Sequence, residues 1–298
     1  MDCNLSDIDL SDIDLHIHST ASDGTLSPEE ILCLAQKLHL AAIAITDHDT
    51  LKGVQDIHSV MTAAPVQFLS GIEISAAAPP SLQISGSLHI LGYGIRLDDP
   101  ALNSSLEALQ HARENRNPLI IHRLNDLGLD ISIEDVIRIS GDSQIGRPHI
   151  ARVMVQKGLA TSINEAFDRY LGFQKPAYVE KFRLTCEKAI EVISGAGGLP
   201  VLAHPFLLKM SDNEKLEILI TALKEMGLEG IEAYYPEHSP EYTAYCSMLA
   251  RKHHLIVTGG TDFHGDAKPG IQMGCGRGNF RVPYAIYERL VERYHQIR

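Results

Sequence analysis

The sequence has no apolar run near the length that crosses a bilayer; the longest, Leu40 to Ile45, is the length of one buried strand. Cysteines are few and scattered. Cys3, Cys33, Cys186, Cys246 and Cys275 are odd in number and form no Cys-x-x-Cys pair, which argues against a disulfide framework and against a thiolate zinc site. Basic residues are outnumbered, 26 Lys and Arg against 38 Asp and Glu, for a formal net charge of -12. A protein that coats long nucleic acid presents a broad basic surface, so a long duplex is not an expected partner. The N-terminus carries Asp2, Asp7, Asp9, Asp12 and Asp14 and no basic residue before His16, the reverse of a signal peptide's charged start. The expected compartment is the cytoplasm, with no membrane partner.

What is present in excess is histidine, 15 in 298 residues. Its placement carries the argument. Asp14-Leu15-His16-Ile17-His18-Ser19 reads as a short strand, and side chains two apart on a strand share a face, so His16 and His18 aim at one point. The polar turn that follows, Ser22-Asp23-Gly24, hands a carboxylate to the same strand end. Two imidazoles and a carboxylate converging on one point suit a divalent metal.

The same arrangement recurs along the chain. Ser27-Pro28-Glu29-Glu30 is a capped helix start, with Ile31, Leu34, Ala35 and Leu38 forming its apolar face. Next, Leu40 to Ile45 reads as a buried parallel strand that runs into Thr46-Asp47-His48-Asp49. Further strands place Glu73 in Phe68 to Ser75 and His89 in Ser87 to Gly94. After Gly195-Ala196-Gly197-Gly198, strands end at His204, at Glu232, and at Asp262 and His264. Chemistry in β/α barrels sits at the carboxyl ends of strands. About seven such strands fit an α/β fold of the barrel type, and the chain length allows a barrel with an inserted piece.

The insert is read at residues 97–188, leaving 1–96 and 189–298 for the barrel. Helical periodicity dominates there, over Pro118 to Leu127, Glu134 to Ile139, His149 to Lys157 and Ile163 to Leu171. The insert is close to neutral while the remainder is acidic, so it is suited to capping a site for anions.

Collected, the strand-end residues are His16, His18, Asp23, His48, Glu73, His89, His204, Asp262 and His264. Six imidazoles and three carboxylates without a thiolate suit Zn, Mn or Fe, and they outnumber what one or two ions use, so about three divalent ions per chain are expected. A lone histidine at a strand end is more often a hydrogen-bonded structural residue. Independent structural histidines, however, have no reason to fall at the ends of successive strands, twice in His-x-His or Asp-x-His pairs. A buried Glu73 in a segment without a cation points the same way. Asp47, Asp49 and Glu232 read as partners that orient imidazoles. The remaining histidines, His39, His58, His111, His122, His253, His254 and His295, read as surface or packing residues, and His238 is left open.

These motifs, Asp14-Leu15-His16-Ile17-His18-Ser19, Thr46-Asp47-His48-Asp49, Gly71-Ile72-Glu73, Leu88-His89-Ile90, Ala203-His204-Pro205 and Thr261-Asp262-Phe263-His264, resemble the PHP (polymerase and histidinol phosphatase) superfamily along the whole chain. Gly146-Arg147-Pro148-His149 and Lys175-Pro176-Ala177-Tyr178 further resemble the insert of its branch of nucleoside 3',5'-bisphosphate phosphatases and 5'-to-3' exoribonucleases. The resemblance implies a distorted (β/α)7 barrel with an inserted helical subdomain and a trinuclear site. One ion would take His16, His18, Glu73 and Asp262, a second Glu73, His89 and His204, and a third Asp23, His48 and His264. Asp23 stands where histidinol phosphatase relatives often have histidine, which favours the nucleotide branch.

The expected activity is hydrolysis of nucleoside 3',5'-bisphosphates, and of short 5'-phosphorylated oligoribonucleotides, by a metal-activated hydroxide. Arg147, His149, Lys175 and Tyr178 are the expected substrate contacts, and metal-bound water, Asp47 or His238 the candidates for the proton donor to the leaving group. The rival readings are a phosphatase of an amino-acid or sugar phosphate such as histidinol phosphate, and a metal-stabilised accessory module without catalysis. The sequence gives no oligomeric state.

Overall fold

The computed structural model describes residues 12–58, 66–79, 82, 84–141, 145–210 and 212–297. Among them are strands β1 (Ile13–Ile17), β2 (Ala42–Ile45), β3 (Gln67–Ala77), β4 (Leu88–Tyr93), β5 (Leu184–Thr185), β6 (Leu199–Leu202), β7 (Gly230–Tyr234) and β8 (Ile256–Gly259). Their order is β1-β2-β3-β4-β6-β7-β8, with β5 on the far end of β3. The sheet curls until the segment past β8 meets β1. There the His18 amide donates to the Phe263 carbonyl at 2.9 Å, and the Phe263 amide to the His16 carbonyl at 3.3 Å.

The β/α alternation breaks at β4. This strand lies antiparallel to both β3 and β6, while β1–β2–β3 and β6–β7–β8 are parallel runs. Only residues 78–87 join β3 to β4, and a parallel crossover needs a dozen or more residues, so the chain can only turn back. An apolar strand buried on both faces carries no mark of its direction, which is why the sequence does not announce this.

The helices are α1 (Pro28–Lys37), α2 (Lys52–His58), α3 (Pro100–Asp126), α4 (Ile133–Ser140), α5 (Arg147–Gln156), α6 (Ile163–Ala166), α7 (Cys186–Gly195), α8 (Asn213–Glu225), α9 (Pro240–Lys252) and α10 (Tyr284–Gln296). The capping box at Ser27 forms as the sequence predicts, with the Glu30 amide on Ser27 Oγ at 3.2 Å and the Ser27 amide on Glu30 Oε2 at 2.8 Å. Pro118, which reads as a helix start, instead lies inside α3. A proline in a helix interior costs about 3 kcal/mol. It is tolerated because both ends of α3 are pinned. Leu102, Leu106 and Leu109 pack in the core that covers the outer face of β3, β4, β6 and β7, and Ile120, Ile121 and Leu124 in a separate core with α4 and α5.

That second core holds Val136, Ile150, Ala151, Val153, Met154, Leu171 and Ala177. Each fully buried aliphatic contributes on the order of 1.5–3 kcal/mol, so this helical cluster has hydrophobic stabilisation of its own. Elsewhere Ile31, Leu32 and Ala35 of α1 cover Ile43 and Ile45 of β2. Leu91, Val201 and Ala203 meet Ile13 and Leu15 with α10. Alternation along β3 sends Ile72 and Ile74 into the outer core and leaves Glu73 facing the barrel interior. No described helix is long and apolar enough to cross a membrane.

Candidate metal and phosphate site

The strand ends bring imidazoles and carboxylates into one buried cluster. Glu73, fully buried, stands at its centre. Its Oε1 lies 2.7 Å from His89 Nδ1 and 2.8 Å from His204 Nε2. Its Oε2 lies 2.9 Å from His48 Nδ1, 3.2 Å from His18 Nε2 and 3.4 Å from His16 Nε2. Asp262 Oδ1 is 3.2 Å from His18 Nε2 and 3.5 Å from His16 Nε2. On the far side Asp23 Oδ1 is 3.3 Å from His264 Nε2 and 3.7 Å from His18 Nδ1.

Three sets of ligand atoms are each compact enough for one ion: His16, His18, Glu73 and Asp262; His18, Asp23, His48 and His264; and His48, Glu73 and His89. His204 joins through Glu73 and lies 3.4 Å from His89 Nδ1. The protein's own hydrogen bonding is incomplete here in a way that a cation would complete. Asp23 Oδ1, His48 Nδ1, Glu73 Oε2 and His204 Nδ1 are buried without a hydrogen-bond partner. His48 Nδ1 and Glu73 Oε2 are close but not aligned to bond. His16 and His18 turn their Nε2 atoms toward each other at 3.2 Å, and at most one of a neutral facing pair can donate. A donor set of this chemistry fits divalent cations.

Electrostatics reflect the crowding. Burial alone would strip His18 of its proton, but the Asp262 and Glu73 carboxylates reverse this and raise it to about 10. Burial likewise lowers His16, and Glu232, Glu73 and Asp262 outweigh it. His89, where burial wins over Glu73 and the His48 and His204 rings add to it, falls to about 4. Burial pushes the Asp23, Glu73 and Asp262 carboxyls upward, yet the surrounding imidazoles, and Lys268 for Asp262, hold them well below the usual range.

Backbone strain collects at the same place. His204 (φ 27°) and Asp262 (φ 54°) occupy the left-handed region, as does Asp49 (φ 56°) beside His48. Such conformations cost roughly 1–2 kcal/mol outside glycine and persist where the surroundings over-determine them. Gly260 is required by close approach: a Cβ there would run into the backbone and Cβ of His16.

The surrounding shell sorts differently from the sequence reading. Glu232 does orient an imidazole. Its Oε1 takes His16 Nδ1 at 2.8 Å, which fixes the tautomer that leaves Nε2 free, and its Oε2 accepts the His204 amide at 2.7 Å. Asp47 and Asp49 touch no imidazole. Asp47 accepts from the Ser19 amide (2.8 Å), Ser19 Oγ (2.6 Å) and Ser22 Oγ (2.5 Å), fully buried beneath the turn after β1. Its carboxylate reaches the cluster through Ser22 Oγ, 3.5 Å from His18 Nδ1, and its carbonyl accepts the Glu73 amide at 3.2 Å. Asp49 is held by Ser75, Arg113 (2.5 Å) and Lys181 (3.1 Å). His238 spends both ring nitrogens locally, Nδ1 on the Ala233 carbonyl at 2.8 Å and Nε2 accepting from the Phe206 amide at 3.4 Å.

A cleft of about 860 Å³ opens over the cluster, lined by Asp23, Glu73 and His89 and also by Arg147, Tyr178 and Arg183. Arg147 donates to the Leu171 carbonyl at 2.8 Å, and its guanidinium lies 5.6 Å from the Phe167 ring and 5.5 Å from that of Tyr178. His149 is buried, and its Nδ1 accepts from the Gly146 amide at 3.1 Å, so it fixes the turn that presents Arg147. Lys175 is exposed and is not among the residues that line the cleft. The sequence reading missed Arg116. It is buried, its Nε and Nη1 have no partner, and burial followed by the charges of Arg113, Arg147 and Arg183 lowers it to about 10. Arg113 is paired with Asp49 and Arg183 with Glu180 at 2.7 Å, while Arg116 and Arg147, which form no ion pair among the described residues, leave a net positive charge here. The spacing of Arg113 and Arg116, three apart on one helix, was the available signal.

Against known proteins, the family model described as PHP domain matches residues 14–296. The chain is 32% identical over 277 residues to the 5'-3' exoribonuclease Rnm of Salmonella typhimurium, covering 92% of each. It is 31% identical to the 3',5'-nucleoside bisphosphate phosphatase of Chromobacterium violaceum, over 89% of this chain and 91% of that one. A solved structure of an amidohydrolase from Chromobacterium violaceum, with bound sulfate and no metal, superposes with a TM-score of 0.83 at 30% identity, over 95% of this chain and 97% of that one.

Proposed function

The chain belongs to the PHP domain family and is a metal-dependent phosphoesterase, and from that premise we propose that it removes a phosphate from nucleoside 3',5'-bisphosphates and acts on short 5'-phosphorylated oligoribonucleotides. The observation that carries this reading is the pairing of two anion-attracting features in one cleft. The cluster around Glu73 and the Arg147 and Arg183 side chains, with the charge of Arg116 near them, line the same cleft. A ligand with phosphates at both ends of a ribose matches both.

His16, His18, Glu73 and Asp262 would hold one divalent ion, Glu73, His89 and His204 a second, and Asp23, His48 and His264 a third, with Mn, Zn or Fe as the candidates. Ions so held supply Lewis acidity toward a phosphoryl oxygen and acidify a coordinated water toward neutral pH. Glu73 offers one oxygen to each side of the cluster, and Glu232 keeps His16 in the tautomer that presents Nε2. Arg147, with its plane fixed by Phe167 and Tyr178, grips the second phosphate, and Arg116 and Arg183 add charge behind it. His149 positions Arg147, and Tyr178 lines the approach, with Lys175 outside it. Asp47 and His238 are bound up in local hydrogen bonds, so in this reading both act as struts and the leaving group takes its proton from solvent.

The division of the chain belongs to the same proposal. The barrel of 1–96 and 189–298 carries the metal ligands, and the inserted 97–188 carries the arginines. A cytoplasmic location agrees with a nucleotide substrate. The test is phosphate release from adenosine 3',5'-bisphosphate, adenosine 5'-monophosphate and histidinol phosphate with Mn added. Preference for the bisphosphate supports the reading, and activity confined to histidinol phosphate ends it.

A further inference from the structure

Asp262 is divided between two environments. Its Oδ1 faces the imidazoles, 3.2 Å from His18 Nε2 and 3.5 Å from both His16 Nε2 and His264 Nδ1. Its Oδ2 faces away and is clamped: Lys268 Nζ donates to it at 2.8 Å and the Tyr235 hydroxyl at 3.0 Å. The clamp is itself tied together, because Lys268 Nζ is 3.0 Å from the Tyr235 hydroxyl and lies 5.3 Å from the centre of its ring. Tyr235 is buried at 1% exposure, and its ring packs edge-on to His204 at 5.5 Å. Lys268 alone of the two lines the cleft. The two donors on Oδ2 hold the carboxylate's plane, so the two oxygens cannot exchange without breaking both hydrogen bonds.

We propose that Lys268, steadied by Tyr235, is a positioning residue that reserves one oxygen of Asp262 for the cation site, and that its ammonium charge weakens cation binding there while drawing the phosphate substrate in. The inference rests on Asp262 being a cation ligand, as proposed above. Its physical content is a sign. An ammonium bonded to the far oxygen of a ligating carboxylate repels the cation through that carboxylate and attracts a phosphate dianion in the same cleft. A residue that serves only to hold the fold together would affect both in the same direction, through disorder of Asp262.

The experiment is Mn(II) binding, followed by the electron paramagnetic resonance of the free ion, together with steady-state kinetics on a bisphosphate, for the wild type and for Lys268→Met, Lys268→Gln and Lys268→Arg. In Lys268→Met the tightest Mn dissociation constant falls about tenfold while KM rises about tenfold, the size expected for one partly screened charge at short range. Lys268→Gln follows Met in both, having lost the charge but kept a donor, and covers the case in which Met disturbs the fold. Lys268→Arg returns both values to within about threefold of wild type. Unchanged or weaker Mn binding in the neutral variants overturns the inference, whatever happens to activity. A wild-type protein that binds no Mn overturns the underlying assignment of Asp262 instead, so the two failures are told apart.

Discussion

Glu73→Gln is the most informative single change, because it alters one charge and almost no volume at the point where the strand ends meet. In the structure both oxygens are used, Oε1 at 2.7 Å from His89 and 2.8 Å from His204, and Oε2 at 2.9 Å from His48. A unit charge pair about 4 Å apart is worth about 4 kcal/mol at an effective dielectric near 20, and a divalent ion roughly doubles that. The glutamine carbonyl recovers part as a dipole, which leaves a loss of at least about 4 kcal/mol, or roughly a thousandfold in cation affinity at about 1.4 kcal/mol per decade. Isothermal titration with Mn on chelator-treated protein reads this directly, and phosphate release at saturating Mn should fall by a comparable factor. Circular dichroism checks that the fold survives. A Gln variant that binds Mn within tenfold of wild type would refute the claim that Glu73 is the shared carboxylate of the cluster.

Four further outcomes are expected. In metal-free protein His18 is raised from its ordinary value to about 10, so its protonation stabilises the fold fully below about pH 6.5 and that contribution is lost as the pH climbs through about 10. For the same reason Mn must displace a proton, and its affinity should increase with pH across that window, with a flat profile contradicting the shift. Arg147→Ala should raise KM for a nucleoside 3',5'-bisphosphate by about tenfold to a hundredfold while leaving a monophosphate ester nearly unchanged, since an ionic hydrogen bond is worth about 1.5–3 kcal/mol, and Arg116→Ala, which removes charge behind it, should act in the same direction by less. Equal effects on both substrates would remove the patch from substrate recognition. Gly260→Ala should cost about 1–3 kcal/mol by urea denaturation and weaken Mn binding, because its new methyl displaces His16, whereas an unperturbed variant would show that β1 can yield there. Ile150→Ala, at the centre of the helical cluster's core, should cost about 2–5 kcal/mol in the same assay with Mn affinity kept, and a loss of Mn binding would show the cluster and the barrel to be one cooperative unit.

How much of this was legible in the sequence depends on the range of the interaction. His16 and His18 announce themselves, since strand alternation alone sets them on one face, and the capping box at Ser27 is equally local. Glu73 is legible through what is missing around it, a carboxylate in an apolar strand without a nearby cation. The antiparallel course of β4 is not, because Ile90 and Leu91 are buried whichever way the strand runs. Neither is the continuity of α3 through Pro118, which is decided by packing at both of its ends. Asp47 looks like an imidazole partner from its place beside His48, yet folding hands it to Ser19 and Ser22, across from a different strand. The arginine patch and the Lys268–Tyr235 clamp join residues from distant parts of the chain by charge, and no local periodicity signals such a meeting.

The most direct test of the account is metal analysis of the purified protein alongside phosphate release from adenosine 3',5'-bisphosphate, before chelation, after it, and after Mn is returned. The account predicts bound transition metal, activity abolished by the chelator and restored by Mn. A metal-free protein that releases phosphate at the same rate in chelator, or one that neither binds Mn nor hydrolyses the bisphosphate, would contradict it.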